Sequence, residues 1–384
     1  MASERTLLER QLVARIQREG AMTFRDFMQA ALYDPEQGYY NTERLKIGPA
    51  GDYYTSSNVH SAFGAVLARA FVELLNETGG VPDPLTIVEA GAGTGQLALD
   101  VLKAMRDEHC AIFEKLSYVI VETSPAMRAL QRQRSIGLAG RLQWRELAEL
   151  IETPVTGIIF SNEMIDALPV HRVRCRRGRI EELYVTTPLV AGLKEPGADD
   201  LPAAPDAGEA SLAFAWREPS TPRLAEYLAR SEVTLAQGQV AEVNLDALDW
   251  MARASSALAR GFLVTIDYGD VAGHLYGPDR REGTLRAFYK HALIDSVLER
   301  VGEQDITANV NFTALIEYGR DCGLETVSYE RQAAFLIRNG LIDRIAAMEN
   351  EGSGTLKERL AVKNLFVPGG VSDNFRVLVQ RKIN

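Results

Sequence analysis

The stretch 85-LTIVEAGAGTGQLALDVL-102 decides the fold of this 384-residue chain. Its first six residues form a short apolar run that predicts a buried strand, and residues 95–107 place apolar positions at helical spacing. Between them, glycines at 91, 93 and 95 allow a tight turn and let a ligand approach the backbone closely. A strand, a glycine-rich turn and a helix in this order indicate an α/β sheet with a ligand site at the carboxyl end of the strand.

The same alternation continues on the carboxyl-terminal side of this stretch. Apolar runs and helical patterns follow one another at 117–122, 124–134, 156–161, 244–260 and 261–267. Residues 375–382 then alternate like one more strand. Buried strands that alternate with helices predict a parallel sheet with helices on both faces.

The remaining segments predict how the chain is divided. Residues 1–80 contain helical patterns and a long loop, and we expect them to form an N-terminal helical cap with a lid loop. Residues 81–384 form the sheet domain, with an insertion at 171–235. In this insertion, 172–185 predicts a β-hairpin, and the Pro-, Ala-, Gly- and Asp-rich stretch 187–222 predicts a surface loop.

The composition excludes several classes of protein. With 46% hydrophobic and 24% charged residues the chain can bury a core, which excludes disorder over its whole length. A net charge of −10 repels phosphate backbones and argues against general nucleic-acid binding. Cys110, Cys175 and Cys322 lie far apart, which excludes a disulfide framework and a cysteine-rich zinc site.

The sequence also bears on the compartment. No apolar run approaches the ~18 residues that span a bilayer, and the N-terminus lacks the apolar core of a signal peptide. The first helix is Arg-rich like a mitochondrial transit peptide, but Glu4, Glu9 and Glu19 favour an ordinary helix. We therefore expect a cytoplasmic protein without a membrane span, with the mitochondrial matrix as the alternative in a eukaryote.

The glycine turn and a second acid together predict a cofactor. Gln96 stands where the dinucleotide fingerprint G-x-G-x-x-G requires its third glycine. Glu122 ends the second strand, beside the first turn, where a carboxylate can accept both hydroxyls of a ribose. An adenosine without a pyrophosphate fits these features, so they favour S-adenosylmethionine. A tight turn without a ligand and a dinucleotide site are the alternatives.

Five segments extend this prediction to a family. They read GDYYTSS at 51–57, FSNEMIDALPV at 160–170, IDYG at 266–269, GTLRA at 283–287 and DITA at 305–308. This set, in this order, resembles the MidA family from about residue 5 to the C-terminus, apart from the 187–222 loop. The resemblance implies a class I methyltransferase fold with a seven-stranded mixed sheet, and S-adenosylmethionine as the methyl donor. The family's mitochondrial members assemble respiratory complex I and methylate protein arginine. The resemblance therefore implies a protein substrate, an arginine on a subunit of the quinone-side arm of complex I.

An arginine nucleophile requires carboxylates, because its guanidinium is protonated at ordinary pH. Glu163 and Asp166 follow the strand at 156–161 and are the candidates to hold the guanidinium and receive its proton. Asn162 could offer its carbonyl oxygen to the same group. The alternative is a helix N-terminus with Asn162 as its cap. Asp267 ends another strand at the same edge, either facing the substrate or serving the structure.

The other expected site residues surround the cofactor. The predicted contacts are Glu89, Gly91, Gly93, Gly95, Glu122, Asp52, Thr55, Ser56 and Trp144. Three of these, Asp52, Thr55 and Ser56, come from the resemblance, which suggests that the 51–57 loop is a lid. Trp144 stands where the adenine is usually flanked, or else belongs to the core. Methyl transfer needs no metal, and the five histidines show no ligand spacing.

Two features leave alternatives open. The family often reads Asp-Leu-Thr-Ala-His-Val-Asp-Phe where this chain has Asn309 and Asn311, and amides keep hydrogen bonding but lose charge. This change favours a non-catalytic assembly chaperone that binds the cofactor, beside the further rivals of a small-molecule methyltransferase and a nicotinamide dehydrogenase. The arginines at 172, 174, 176, 177 and 179 are either a solvated hairpin or a docking edge for an acidic partner. The oligomeric state stays open.

Overall fold

A computed structural model describes residues 5–42, 61–77, 79–135, 137, 140–191, 211–350, 362–363 and 371–383. The chain forms two compact units. The first comprises Met1–Arg44, Ala167–Ala247 and Val271–Ala314, and the second comprises Leu45–Asp166, Leu248–Asp270 and Leu315–Asn384. The expected lid residues Asp52, Thr55 and Ser56 lie outside the described ranges.

The described helices and strands are numbered in chain order. The α-helices are α1 (Leu7–Glu19), α2 (Phe24–Tyr33), α3 (Ala62–Glu77), α4 (Gln96–Glu108), α5 (Cys110–Phe113), α6 (Pro125–Arg134), α7 (Leu147–Glu152), α8 (Pro188–Ala191), α9 (Arg223–Arg230), α10 (Leu245–Ala257), α11 (Ala272–Leu275), α12 (Phe312–Asp321), α13 (Gln332–Arg338) and α14 (Leu341–Asn350). The strands are β1 (Met22–Thr23), β2 (Leu85–Ala90), β3 (Leu116–Val121), β4 (Leu142–Trp144), β5 (Val155–Asn162), β6 (His171–Arg176), β7 (Arg179–Thr186), β8 (Ala213–Arg217), β9 (Val240–Val243), β10 (Leu258–Asp270), β11 (Arg286–Tyr289), β12 (Ala292–Leu293), β13 (Asp305–Thr307), β14 (Val310–Asn311), β15 (Leu324–Arg331) and β16 (Phe375–Lys382).

The second unit is built on the expected seven-stranded mixed sheet. Its strand order is β15-β16-β10-β5-β2-β3-β4. The pairs from β10 to β4 are parallel, whereas β16 runs antiparallel to both β10 and β15. Along β2, consecutive residues from Ile87 to Ala90 are all buried, as in a strand covered on both faces. The parallel order brings the carboxyl ends of β2, β3, β5 and β10 to one edge.

Helix α3 belongs to this second unit, which differs from the expected division at residue 80. Twelve of its 16 residues are buried, so it has almost no polar face. Together with α4 and one face of the sheet it forms a continuous apolar core that includes Phe71, Ile158 and Phe160. A helix that is apolar nearly all round needs such a core to bury it.

The first unit contains a five-stranded antiparallel sheet, in the order β1-β7-β6-β9 with β8 on β7. The predicted hairpin is confirmed as β6 and β7, whose turn has positive φ at Arg177 and Gly178. The prediction of a surface loop over 187–222 was wrong in its described parts. Residues 188–191 form α8 and residues 213–217 form β8, which pairs with the neighbouring hairpin strand.

The hairpin arginines are partly neutralised within their own unit. Arg172 lies 3.1 Å from Glu242, and Arg174 lies 2.7 Å from Glu181. Arg176 also approaches Glu181, at 3.9 Å. The acidic partner that the basic run suggested is, for these three side chains, supplied by the adjacent strands.

Candidate active site

The glycine turn after β2 has the backbone conformation that its sequence predicts. Gly91, Gly93 and Gly95 have φ of +68°, +52° and +76°, which side chains with a Cβ rarely adopt. The Gly91 N–H donates to the carbonyl of Val121 at the end of β3 (3.0 Å). A Cβ on Gly91 would lie 2.5 Å from Met164 Cγ, so the turn also touches the loop after β5.

Glu122 follows β3 and lies beside this turn, with its carboxylate held in place. Its Oε1 accepts from the Ser124 N–H (2.9 Å) and its Oε2 from Gln131 Nε2 (3.1 Å). Burial raises the pKa of Glu122, and these hydrogen bonds oppose that rise. A carboxylate has about four acceptor positions, so two remain for further donors.

The Gln131 amide joins three of these groups, although the sequence analysis did not predict it. Besides Glu122, its Nε2 donates to the Gly93 carbonyl (2.8 Å), and its Oε1 accepts from the Trp144 indole N–H (2.9 Å). Gln131 is 1% exposed and shares the buried side of α6 with Met127. A glutamine one helical turn after a buried methionine was the available signal.

Glu89 ends β2 but turns its carboxyl inward. It is 2% exposed, and its Oε2 accepts from the Tyr118 hydroxyl (2.7 Å). Burial raises the pKa of Glu89 to about 7, the Tyr118 hydrogen bond lowers it, and the Glu122 charge raises it further. Its observed partner is therefore a protein side chain at the base of the turn.

The loop after β5 is held by a carboxylate from another strand. Asp267 of β10 is fully buried, and its Oδ2 accepts from the backbone N–H groups of Met164 (3.2 Å), Ile165 (2.8 Å) and Asp166 (3.4 Å). Its Oδ1 accepts from the N–H of Tyr268 (2.8 Å). Asp267 therefore has the structural role among the two that the sequence allowed. The alternative of a helix N-terminus at Asn162 was wrong, because residues 163–170 are not helical.

Asn162 and Glu163 come together at the start of this loop. Glu163 has φ of +53°, uncommon for a residue with a side chain, and its N–H donates to the Ile266 carbonyl (2.9 Å). The Asn162 Nδ2 donates to Glu163 Oε1 (3.2 Å), which directs the amide so that Oδ1 is the second group. This Oδ1 is buried and has no hydrogen-bond partner. The loop thus presents an acceptor that lacks a donor.

These residues fit S-adenosylmethionine. Left-handed glycines leave the turn without side chains, where the methionine part would approach the backbone. Glu122 retains acceptor capacity for the ribose hydroxyls, and the Asn162–Asp166 loop adjoins the same turn through Met164. Trp144 is half-buried, with its indole N–H bonded to Gln131 and the Arg132 guanidinium 5.3 Å from its ring centroid. The described part of the chain contains no cluster of three or more potential metal ligands.

The two asparagines that depart from the family pattern lie in the first unit. Asn311 is buried, its Nδ2 donates to Ser231 Oγ (3.1 Å), and its Oδ1 accepts from the Ala314 N–H (3.3 Å). It therefore caps α12, as an aspartate also would. The Asn309 N–H donates to Thr284 Oγ1 (3.1 Å). The hydrogen bonds at both positions hold local structure.

Comparisons with known proteins agree with this site. Residues 66–330 match the profile of a family described as "Putative S-adenosyl-L-methionine-dependent methyltransferase". The rat "Protein arginine methyltransferase NDUFAF7, mitochondrial" is 28% identical over 383 residues, covering 92% of this chain and 79% of the relative. Its Drosophila melanogaster homolog is 26% identical over 328 residues, with coverages of 79% and 68%. Both names say mitochondrial, which gives the cytoplasmic prediction no support. No helix in the described ranges is long and apolar enough to cross a membrane.

A solved structure extends the likeness to the whole fold. A Burkholderia thailandensis protein, crystallised with S-adenosyl-homocysteine, superposes with a TM-score of 0.83 at 28% identity. The match covers 98% of this chain and 92% of the other. The family profile spans more than half of the chain, and it includes the glycine turn, Glu122 and the loop after β5. The chain therefore belongs to this family of S-adenosyl-L-methionine-dependent methyltransferases.

Proposed function

We propose that this methyltransferase acts on an arginine of a protein. The observation that carries the proposal is the unpartnered, buried Oδ1 of Asn162, next to the carboxylate of Glu163. An arginine guanidinium has only donors and a positive charge, so it complements an amide oxygen beside a carboxylate. The names of the rat and fly relatives support the same substrate class.

The chemistry assigns a role to each residue of the loop. S-adenosylmethionine supplies a methyl group bound to a positively charged sulfur. A guanidinium nitrogen forms the new N–C bond as the C–S bond breaks, and one proton must leave the nitrogen. We assign Asn162 Oδ1 to orienting the guanidinium, and Glu163 and Asp166 to balancing its charge and accepting the proton. The anchored loop sets the distance from these groups to the glycine turn.

The finer target is also part of the proposal. The resemblance to the MidA family points to a subunit of respiratory complex I. We therefore infer reaction in the compartment that holds the water-exposed arm of that complex, which is the cytoplasm in a bacterium and the matrix in a mitochondrion.

The test uses purified chain and S-adenosylmethionine with a labelled methyl group. Lysate from a host that lacks this gene provides unmethylated target, and labelled proteins are resolved on a gel. We expect a labelled band that Glu163→Gln lowers by at least about 100-fold, since general-base catalysis contributes roughly 10²–10⁴-fold. Glu232→Gln is the matched control, because Glu232 is exposed and shares a positive φ of +56°. Label found only in small molecules, or an equal band from Glu163→Gln, would contradict the proposal.

A further inference from the structure

The Gln131 amide occupies an unusual position at the cofactor side of the second unit. Its three hydrogen bonds reach the glycine turn at Gly93, the carboxylate of Glu122 and the indole of Trp144. Reversing the amide would set its oxygen against two acceptors and its NH₂ against the indole N–H. A single orientation therefore satisfies all three partners.

We propose that Gln131 is a positioning residue for the nucleoside half of S-adenosylmethionine. This inference rests on the proposed assignment of Glu122 to the ribose and Trp144 to the adenine, and does not depend on the methyl acceptor. Gln131 touches neither group of the cofactor in this account. It acts by fixing both side chains that do.

The geometry gives Gln131 control over Glu122. One carboxylate oxygen is fixed by the Ser124 N–H, and Gln131 fixes the other. Without Gln131 the carboxylate keeps one anchor and is free to rotate, so the second ribose hydroxyl loses its acceptor. The orientation of a site residue is commonly set by such a supporting partner.

The same amide controls Trp144. The Gln131 oxygen is the observed acceptor for the indole N–H, while the Arg132 guanidinium stands over the ring. Gln131 also packs against the turn, because a Cβ on Gly95 would lie 3.1 Å from its Cγ. Loss of the amide would thus loosen the ring and the turn together.

The test measures binding of S-adenosylhomocysteine and its 2′-deoxy analogue by calorimetry, with the full chain and no methyl acceptor. Gln131→Leu removes the amide, and Gln131→Glu keeps its shape while setting a carboxylate beside Glu122. We expect both variants to weaken S-adenosylhomocysteine binding by about 10- to 100-fold, the usual effect of losing hydrogen bonds to a charged group. We also expect them to reduce the preference for the ribose form over the deoxy form. Gln133→Leu, an exposed position on α6, should bind like the unaltered chain.

Three results would overturn the proposal. Both variants could bind within about twofold of the unaltered chain. They could weaken the two ligands by the same factor, which indicates a merely structural role. The unaltered chain could fail to distinguish the ligands, in which case Glu122 does not hold the ribose. Thermal melting of each variant confirms that it is folded, and the isosteric Gln131→Glu keeps the test open if Gln131→Leu unfolds.

Discussion

Single residues at the carboxyl edge of the sheet combine burial with charge. Glu89, Glu122 and Asp267 all lie at strand ends, and each is less than a tenth exposed. Their hydrogen bonds differ: Tyr118 binds Glu89, whereas backbone N–H groups hold Asp267. Such groups cost stability when ionised, and functional sites commonly retain them for that reason.

Glu89 makes the stability of the chain depend on pH. Its pKa is about 7 in the folded chain against 4.5 as the ordinary value, so the folded state holds a proton that the unfolded state has released between these limits. The free energy of unfolding should therefore fall as pH rises from about 5 to 8, by roughly 3 kcal/mol from this group. Chemical denaturation at several pH values, without cofactor, measures the slope.

The matched variants isolate that slope. Glu89→Gln keeps an acceptor for the Tyr118 hydroxyl and should flatten the pH dependence. Glu152→Gln, at an exposed position on α7, should leave it unchanged. An identical slope in Glu89→Gln and the unaltered chain would show that Glu89 does not carry a proton in the folded state.

At the scale of elements, the loop after β5 depends on β10. Asp267→Asn should lower the rate of methyl transfer by at least about tenfold, because an amide places an NH₂ group where the loop needs an acceptor. The lost bonds should also destabilise the fold by roughly 1–3 kcal/mol. Affinity for S-adenosylhomocysteine should change less than the rate, since Asp267 holds the loop and not the glycine turn.

Steady-state kinetics and calorimetry separate these effects. Asp279→Asn, at an exposed position, serves as the control. If Asp267→Asn kept the full rate, the anchoring of Met164, Ile165 and Asp166 would have no part in catalysis.

Elements also show what could be predicted from the sequence. Periodicity located β2 and β16 at their observed bounds and α6 to within one residue, because buried strands and amphipathic helices have distinct patterns. It did not exclude a helix after Asn162. The anchor of that loop, Asp267, lies about 100 residues later, and only the parallel pairing of β5 with β10 brings it close.

At the scale of the whole molecule, the sequence predicted the sheet better than the division of the chain. The resemblance implied a seven-stranded mixed sheet and the cofactor class, and both are confirmed. The first unit is drawn from three separate segments, and composition does not mark their limits near residues 44, 247 and 314. The assignment of Glu163, Asp166 and Asn162 to the substrate stays a prediction, as do the contacts of Glu89, Gly91, Gly93, Gly95, Glu122 and Trp144 with the cofactor.

The identity of the methylated atom tests the central claim most directly. Protein labelled by the purified enzyme is hydrolysed to amino acids, and the labelled product is identified by mass spectrometry. The account predicts methylarginine, formed by the unaltered chain and by Glu232→Gln but not by Glu163→Gln. Label on lysine, histidine or a carboxyl group would contradict it.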